Sequence, residues 1–364
     1  MLRRYWHPIA AAAELTDEKP IKAIKILGES LVVYRDKAGK YGVVAEQCPH
    51  RLASLAYGSV DQEGIRCPYH GWKFDGAGRC LEAPAERKDS RFNESIRTDA
   101  YPVRRLGGML FTYMGPEPIP ALPHWDVLTW TKGVRRVERH SVLRCNWVQA
   151  MENSVDPSHL YWLHGRTAHL AATLDHYEEE HEFTIFDYGI MKRRTSAGSV
   201  GSRVDQHPLL FPNILRHVFK PEKSGKLFHN LQYRVPIDDT STQVFMVTFS
   251  PDENVLSPPT ADTPFEYVSM TDESGGYRMD MVLAQDVMAW ETQGPIFDRS
   301  REHLSSADKG VVILRRLLRE QIDKVHNGGT PLGVRPAAED ARLIELEVIN
   351  ERIGLAHPQT EVAA

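Results

Sequence analysis

The sequence predicts an α+β protein of two domains. An all-β domain spans residues 1–125, and a second domain, residues 126–364, carries helices on a largely antiparallel sheet. Three observations predict this. Short apolar runs separated by tight-turn residues fill the first third. The segment GPEPIPALPH, from Gly115, holds four prolines and can continue neither a helix nor a central strand, so the boundary falls near residue 125. Beyond it, strand-like runs give way to one amphipathic helix. A length of 364 residues also favours two domains over one.

Within the first domain, residues 31–34 form an apolar strand, 36–40 (DKAGK) a turn, and 41–45 the returning strand. Lys73-Phe74 runs into the turn DGAG, and residues 109–114 make a further strand. In the second domain, strands are expected at 134–143, 182–190, 231–235 and 244–249. Loops are expected at 195–202 (TSAGSVGS) and 257–264 (SPPTADTP). Val311, Leu314, Leu318, Ile322 and Val325 recur at spacings of three and four, which predicts a helix with one apolar face, ended by NGG at 327–329. A second helix is expected over 338–353.

Composition excludes several classes. Hydrophobic content of 41% and charged content of 26% are those of a globular protein, and a net charge of -5 gives no global field for nucleic acid. The N-terminal apolar run, IAAAA, is too short for a signal-peptide core, and no run reaches membrane-spanning length. A cytoplasmic protein, with neither nucleic acid nor membrane as partner, is the expectation. Four cysteines are too few for a disulfide scaffold and fit a reducing compartment. Cys80 and Cys145 read as small buried residues.

Cys48-Pro49-His50 and Cys67-Pro68-Tyr69-His70 form C-x-H and C-x-x-H pairs, each expected on a loop at a strand end. Two converging loops would offer four ligands to one centre. A structural zinc site is the alternative, although its commonest spacings group Cys with Cys and His with His. The mixed pairing suits a Rieske [2Fe–2S] cluster, in which Cys48 and Cys67 bind one iron and His50 and His70 the other. Trp72 and Tyr69 would pack over it.

The second motif is MENSVDPSHLYWLHG, residues 151–165. On a regular helix Asn153, Asp156 and His159 share one face, while His164 lies about 140° from His159. The helix must therefore end or bend if both imidazoles are to meet one metal. Pro157 and Gly165 favour such a break. Two histidines with a carboxylate would make a mononuclear Fe(II) site with positions left open for O2 and substrate.

The stretches CPHRLASLAYG, GIRCPYHGWKFDGAGRC and MENSVDPSHLYWLH together resemble the terminal oxygenase of the Rieske non-haem iron oxygenases, in particular the phthalate-type branch. The resemblance covers nearly the whole chain and implies a Rieske domain followed by a catalytic domain of helix-grip type. It also implies that Asp286 is the carboxylate ligand, with Asp298 and Glu291 as rivals and a surface aspartate as the plain alternative. Asp156 would instead bridge the iron site to a cluster histidine of a neighbouring subunit, and Asn153 would lie beside the iron. Respiratory Rieske proteins carry an extra cysteine in each loop, which pair as a disulfide. Ala53 and Tyr69 stand there, so no bridge can form.

The chain lacks a G-x-G-x-x-G strand-to-helix fingerprint, so its electrons must come from another protein. By resemblance that partner is an NADH-dependent reductase carrying flavin and a [2Fe–2S] centre. The assembly implied is a homotrimer, or a hexamer of two. The branch takes aromatic acids, and Arg194, Arg203 or Arg216 could grip a carboxylate, with exposed arginines as the alternative. A pure electron carrier is the rival function, but it would need only the first 125 residues. His169, His176 and His181 receive no role, the last lying in the charge run EEEHE.

Overall fold

The computed structural model describes residues 1–87, 89–165, 179–196, 203–219 and 226–350. Strands in the first part are β1 (Trp6–Ala11), β2 (Ile21–Ile26), β3 (Glu29–Arg35), β4 (Tyr41–Ala45), β5 (Ser59–Val60) and β6 (Ile65–Arg66). They continue as β7 (Lys73–Phe74), β8 (Cys80–Glu82), β9 (Ala100–Tyr101), β10 (Val103–Leu106) and β11 (Met109–Tyr113). They form three antiparallel sheets, ordered β2-β3-β4-β9, β5-β6-β7-β8 and β1-β11-β10. The expected 31–45 hairpin is present. Its turn is set by the Asp36 carboxylate accepting from the Lys40 amide (2.8 Å) and by Gly39 at φ +81°.

After the prolines come β12 (His124–Trp125), α1 (Asp126–Thr129), β13 (Lys132–His140), α2 (Trp147–Ser154), β14 (Glu179–Phe186) and β15 (Gly189–Ser196). Then follow β16 (Arg203–Leu210), β17 (Ile214–Phe219), β18 (Phe228–Pro236), β19 (Thr242–Leu256) and β20 (Phe265–Val268). The described chain ends with α3 (Val282–Glu291), α4 (Lys309–His326), β21 (Leu343–Ile344) and β22 (Ile349–Asn350). One large sheet runs β14-β15-β16-β17-β18-β19-β13-β20, with β22 added on β16. It is antiparallel except at β13–β20. An all-β N-terminal part and an α+β part built on an antiparallel sheet are thus as expected.

Three local expectations fail. Residues 182–190 are not one strand: the register pairs Phe186 with Gly189, so Asp187-Tyr188 is a two-residue hairpin loop. The helix expected over 338–353 is absent from the described residues 338–350. After a short 3₁₀ turn at Ala337–Glu339 and a turn with Ala341 at φ +66°, the chain forms the two short strands β21 and β22, with Leu346 and Val348 buried between them. In α4, Ile322 is exposed, and the buried face runs instead through Val311, Leu314, Leu317, Leu318 and Gln321.

The β1-β11-β10 sheet has no core of its own. Trp6, Ile9, Leu110 and Phe111 share one hydrophobic cluster with Leu231, Tyr233, Phe245, Val247 and Phe249 of the large sheet. A smaller cluster around Val32, Tyr34, Leu55, Ile65 and Phe74 includes Cys48, Cys67 and Trp72.

Candidate iron–sulfur and mononuclear iron sites

The two Cys–His loops share one backbone design. The amide of Cys48 donates to the Ala53 carbonyl (2.9 Å), and the Leu52 amide returns to the Cys48 carbonyl (2.8 Å). In the second loop the Cys67 amide donates to Trp72 O (2.8 Å) and the Gly71 amide to Cys67 O (3.1 Å). The fourth residue after each cysteine is left-handed, Leu52 at φ +61° and Gly71 at φ +74°. Both thiols are buried, and the His50 and His70 rings lie 4.6 Å apart. Trp72 stacks flat on His50 (4.4 Å, 6°), and the Tyr69 ring is 3.8 Å from that of His70.

The donor set fits a small cluster. His70 Nδ1 is buried with no hydrogen-bond partner among the described residues, as an imidazole nitrogen reserved for iron would be. Burial pushes the Cys48 thiol up to about 11, so loading iron on the thiolates releases protons. Sequence reasoning missed Arg66. Its guanidinium donates to the Gly71 carbonyl (2.7 Å), Asp61 and Glu82, bracing the second loop where no disulfide is available.

The second motif breaks as the histidine spacing requires. Helix α2 is capped at its start by Asn146, whose side chain accepts from the Val148 amide, and it ends at Ser154. Beyond Pro157 the chain resumes as one π-helical turn, Leu160–His164. A π-turn closes on bonds to the fifth residue, which brings residues five apart to one side. His159, His164 and Asp286 then offer ligand atoms that all lie within 4.8 Å of one another. His164 Nε2 is 3.2 Å and His159 Nε2 3.6 Å from Asp286 Oδ1. Ligand atoms about 2.1 Å from one metal and at right angles to each other stand roughly 3 Å apart. The triad therefore fits a single ion.

Neighbouring groups aim these ligands. The Gln285 amide donates to Met279 O (2.7 Å), so its carbonyl oxygen accepts from His164 Nδ1 (2.7 Å). This places the His164 proton on Nδ1 and makes Nε2, which faces Asp286, the nitrogen that would ligate a metal. Asn153 Nδ2 approaches Asp286 Oδ1 at 3.4 Å. Asp156 Oδ2 lies 3.6 Å from His159 Nδ1, and its other oxygen accepts from the Ser158 amide (2.8 Å). Burial opposes the Asp156 charge, yet His159, the Ser158 amide and Lys192 together hold its pKa below the ordinary value. The rivals lie elsewhere: Glu291 binds Arg144 and Tyr277, and Asp298 caps the turn at Ser300.

The arginines do not behave as expected. Arg194 grips Asp205 through Nε and Nη2 (2.8 and 2.5 Å) and also reaches Glu179, while Arg216 grips Asp126 (3.1 and 3.0 Å). Both are buried, and the chain itself supplies each guanidinium with a carboxylate partner. The Arg203 side chain, His169 and His176 lie outside the described residues. His181 sits on β14 beside Glu179 (3.1 Å); Glu179 is turned inward, so the run is not wholly a solvated face.

Paired Cys–His loops in one chain with a two-histidine, one-carboxylate group mark, as a class, iron-dependent oxidoreductases with a built-in electron store. Comparison with known proteins narrows this. A family model described as the Rieske [2Fe-2S] domain matches residues 5–103, and one described as LigXa C-terminal domain like matches 273–352. The chain is 36% identical to the 5,5'-dehydrodivanillate O-demethylase oxygenase subunit of Sphingobium sp. strain NBRC 103272 / SYK-6, over 92% of this chain and 78% of that one. It is 35% identical to the tert-butanol monooxygenase / tert-amyl alcohol desaturase oxygenase subunit of Aquincola tertiaricarbonis, over 88% and 73%. Its fold matches NdmA of Pseudomonas putida CBB5, solved as a mutant with theobromine (TM-score 0.68, 22% identity, 90% and 93% covered). The chain belongs to the Rieske-type non-haem iron oxygenases, as an oxygenase subunit that uses a Rieske [2Fe–2S] cluster and a mononuclear iron. The pure electron carrier is set aside, since the relatives that match most of this chain are named as oxygenase subunits.

Proposed function

We propose that this chain is the terminal component that combines O2 with an aromatic, carboxylated substrate, by hydroxylation, dihydroxylation or O-demethylation. Its electrons come from a separate NADH-dependent reductase bearing flavin and a plant-type [2Fe–2S] centre. Residues 1–125 form the cluster domain, with Cys48 and Cys67 on one iron and His50 and His70 on the other. Residues 126–364 form the catalytic domain, with His159, His164 and Asp286 on Fe(II). When bound, the two groups supply stored single electrons and a ferrous ion that activates O2.

The protein's part is positional. Gln285 fixes the His164 tautomer and Asn153 steadies Asp286. Asp156 holds the far side of His159 and, in a cytoplasmic homotrimer or a hexamer of two, bridges to His70 of the adjacent subunit. One observation carries the reading: three ligand atoms from α3 and the broken α2 segment converge in a chain that also pairs two Cys–His loops. The relative named as a 5,5'-dehydrodivanillate O-demethylase oxygenase subunit supports O-demethylation among these reactions.

The experiment is product analysis over a panel of aromatic acids, methoxylated aromatics and their neutral counterparts with a surrogate reductase, beside iron and sulfide counts. Three irons and two acid-labile sulfides per chain, with oxygenated product, are expected. Asp156→Asn should keep the metals yet lose product formation coupled to reductant; normal turnover by that variant excludes the bridging role.

A further inference from the structure

The inner face of the large sheet carries a cation that no role above absorbs. Lys192, on β15, is only 6% exposed. The register pairs Lys192 with His207 and Arg194 with Asp205, and on the next strands Leu209 with Leu215 and His217 with Asn230. Side chains alternate along a strand, so Lys192, His207, His217 and Asn230 all project from one face. The His207 and His217 rings stand 4.4 Å apart. Ile190 and Leu209 lie on that same face and pack against Trp147, Met151 and Val155, which belong to α2 and its C-terminal end. The face is therefore the one turned toward the iron-site helix. The charge of Lys192 reaches Asp156, whose carboxyl it helps keep ionised.

The polar groups on this face are not satisfied by each other. Asp205 gives one oxygen to Arg194 and turns the other toward His207 Nδ1 (3.6 Å). The Lys192 ammonium is left with no hydrogen bond and no carboxylate within 4.0 Å among the described residues. His207 Nε2 and Asn230 Oδ1 are likewise buried without partners among those residues, in side chains 5% and 3% exposed. Buried polar atoms in native proteins are nearly always paired, so a cation and two acceptors left open on one face await a ligand. Burial lowers the Lys192 pKa to about 8, which still leaves it mainly charged at neutral pH.

We propose that Lys192 is the residue that binds the oxygen anion of the aromatic substrate, a carboxylate or a phenolate, with His207 and Asn230 taking a neighbouring hydroxyl of the same molecule. This deepens the oxygenase reading and rests on it. It moves the anion-binding role from Arg194 and Arg216, both engaged by the chain's own carboxylates, to Lys192. Arg234, a second buried cation on this face, also lacks a carboxylate partner among the described residues but is already held by Ser154 Oγ, Gln232 Oε1 and the Trp290 ring.

The test is calorimetric binding to the full-length, iron-loaded protein. Vanillate and 3-methoxybenzoate probe the carboxylate, and 4-nitrophenolate probes the phenolate. Each is compared with its neutral counterpart, the amide or the ring ether. At least one anion should bind ten-fold or more tightly than its neutral partner. Lys192→Met and Lys192→Gln should each abolish that preference while leaving neutral-ligand affinity within about two-fold, and a folded melting profile accompanies each measurement. The proposal is overturned if no anion out-binds its neutral counterpart, or if the preference survives in the folded variants. A wild-type protein that turns over neutral aromatics without any anion preference would sink this assignment alone. Absence of oxygenated product from every aromatic would sink the oxygenase reading instead.

Discussion

His164 has an oriented imidazole because Gln285 is itself oriented: the amide donates to Met279 O, so its carbonyl oxygen must receive the histidine proton. Partners behind a metal-binding histidine typically alter metal affinity 10- to 100-fold. Gln285→Leu should therefore weaken mononuclear iron binding by about that factor while the Rieske absorption is unchanged. Iron titration followed by EPR reads this, and unaltered occupancy at limiting iron would refute it. At this scale the sequence was most legible where spacing alone carries chemistry, as in Cys48–His50 and Cys67–His70. Gln285, Arg66 and Lys192 were invisible because their partners come from distant segments, and no local pattern marks a glutamine as the support of a histidine. The arginines misled for a related reason: a sequence shows a cation but not the buried carboxylate 11 or 90 positions away that neutralises it.

Among the elements, α4 shows how periodicity can be right about a helix and wrong about its face. Leu314 is fully buried, whereas Ile322 is 50% exposed although both fit the same spacing. Leu314→Ala should destabilise the protein by about 2–5 kcal/mol, and Ile322→Ala should stay within roughly 0.5 kcal/mol. Chemical denaturation of the two variants separates these outcomes, and equal losses would mean that the helix packs differently. The strands of the large sheet were readable as β-rich runs. Their ends were not, because the Asp187-Tyr188 turn lacks the glycine or asparagine that announces a hairpin. The C-terminal stretch was misread as helix because leucine and glutamate suit a helix as intrinsic formers, while the two-residue burial of Leu346 and Val348 is decided by the surface beneath them.

In the molecule as a whole, the proline-rich segment reads as a break in the sequence, and the continuity across it was not legible. Phe111 meets Tyr233 edge-on at 5.7 Å, and strands from both sides of the break close one hydrophobic cluster. Burial shared in this way couples unfolding of the two parts. Scanning calorimetry of the full chain should give one cooperative transition, and two well-separated endotherms would contradict a common core.

The shared cluster also bears on how such proteins can be recombined. Electron receipt and substrate chemistry look like detachable modules when the sequence is read linearly, yet the β1-β11-β10 sheet is shaped to the contours of Leu231, Phe245 and Phe249. A chimera cut at the prolines would bring together two half-interiors moulded to different partners, leaving gaps or overlaps that close packing does not forgive. Grafts that carry β18 and β19 along with the amino-terminal segment preserve the seam, and so the natural unit of exchange is larger than either catalytic role.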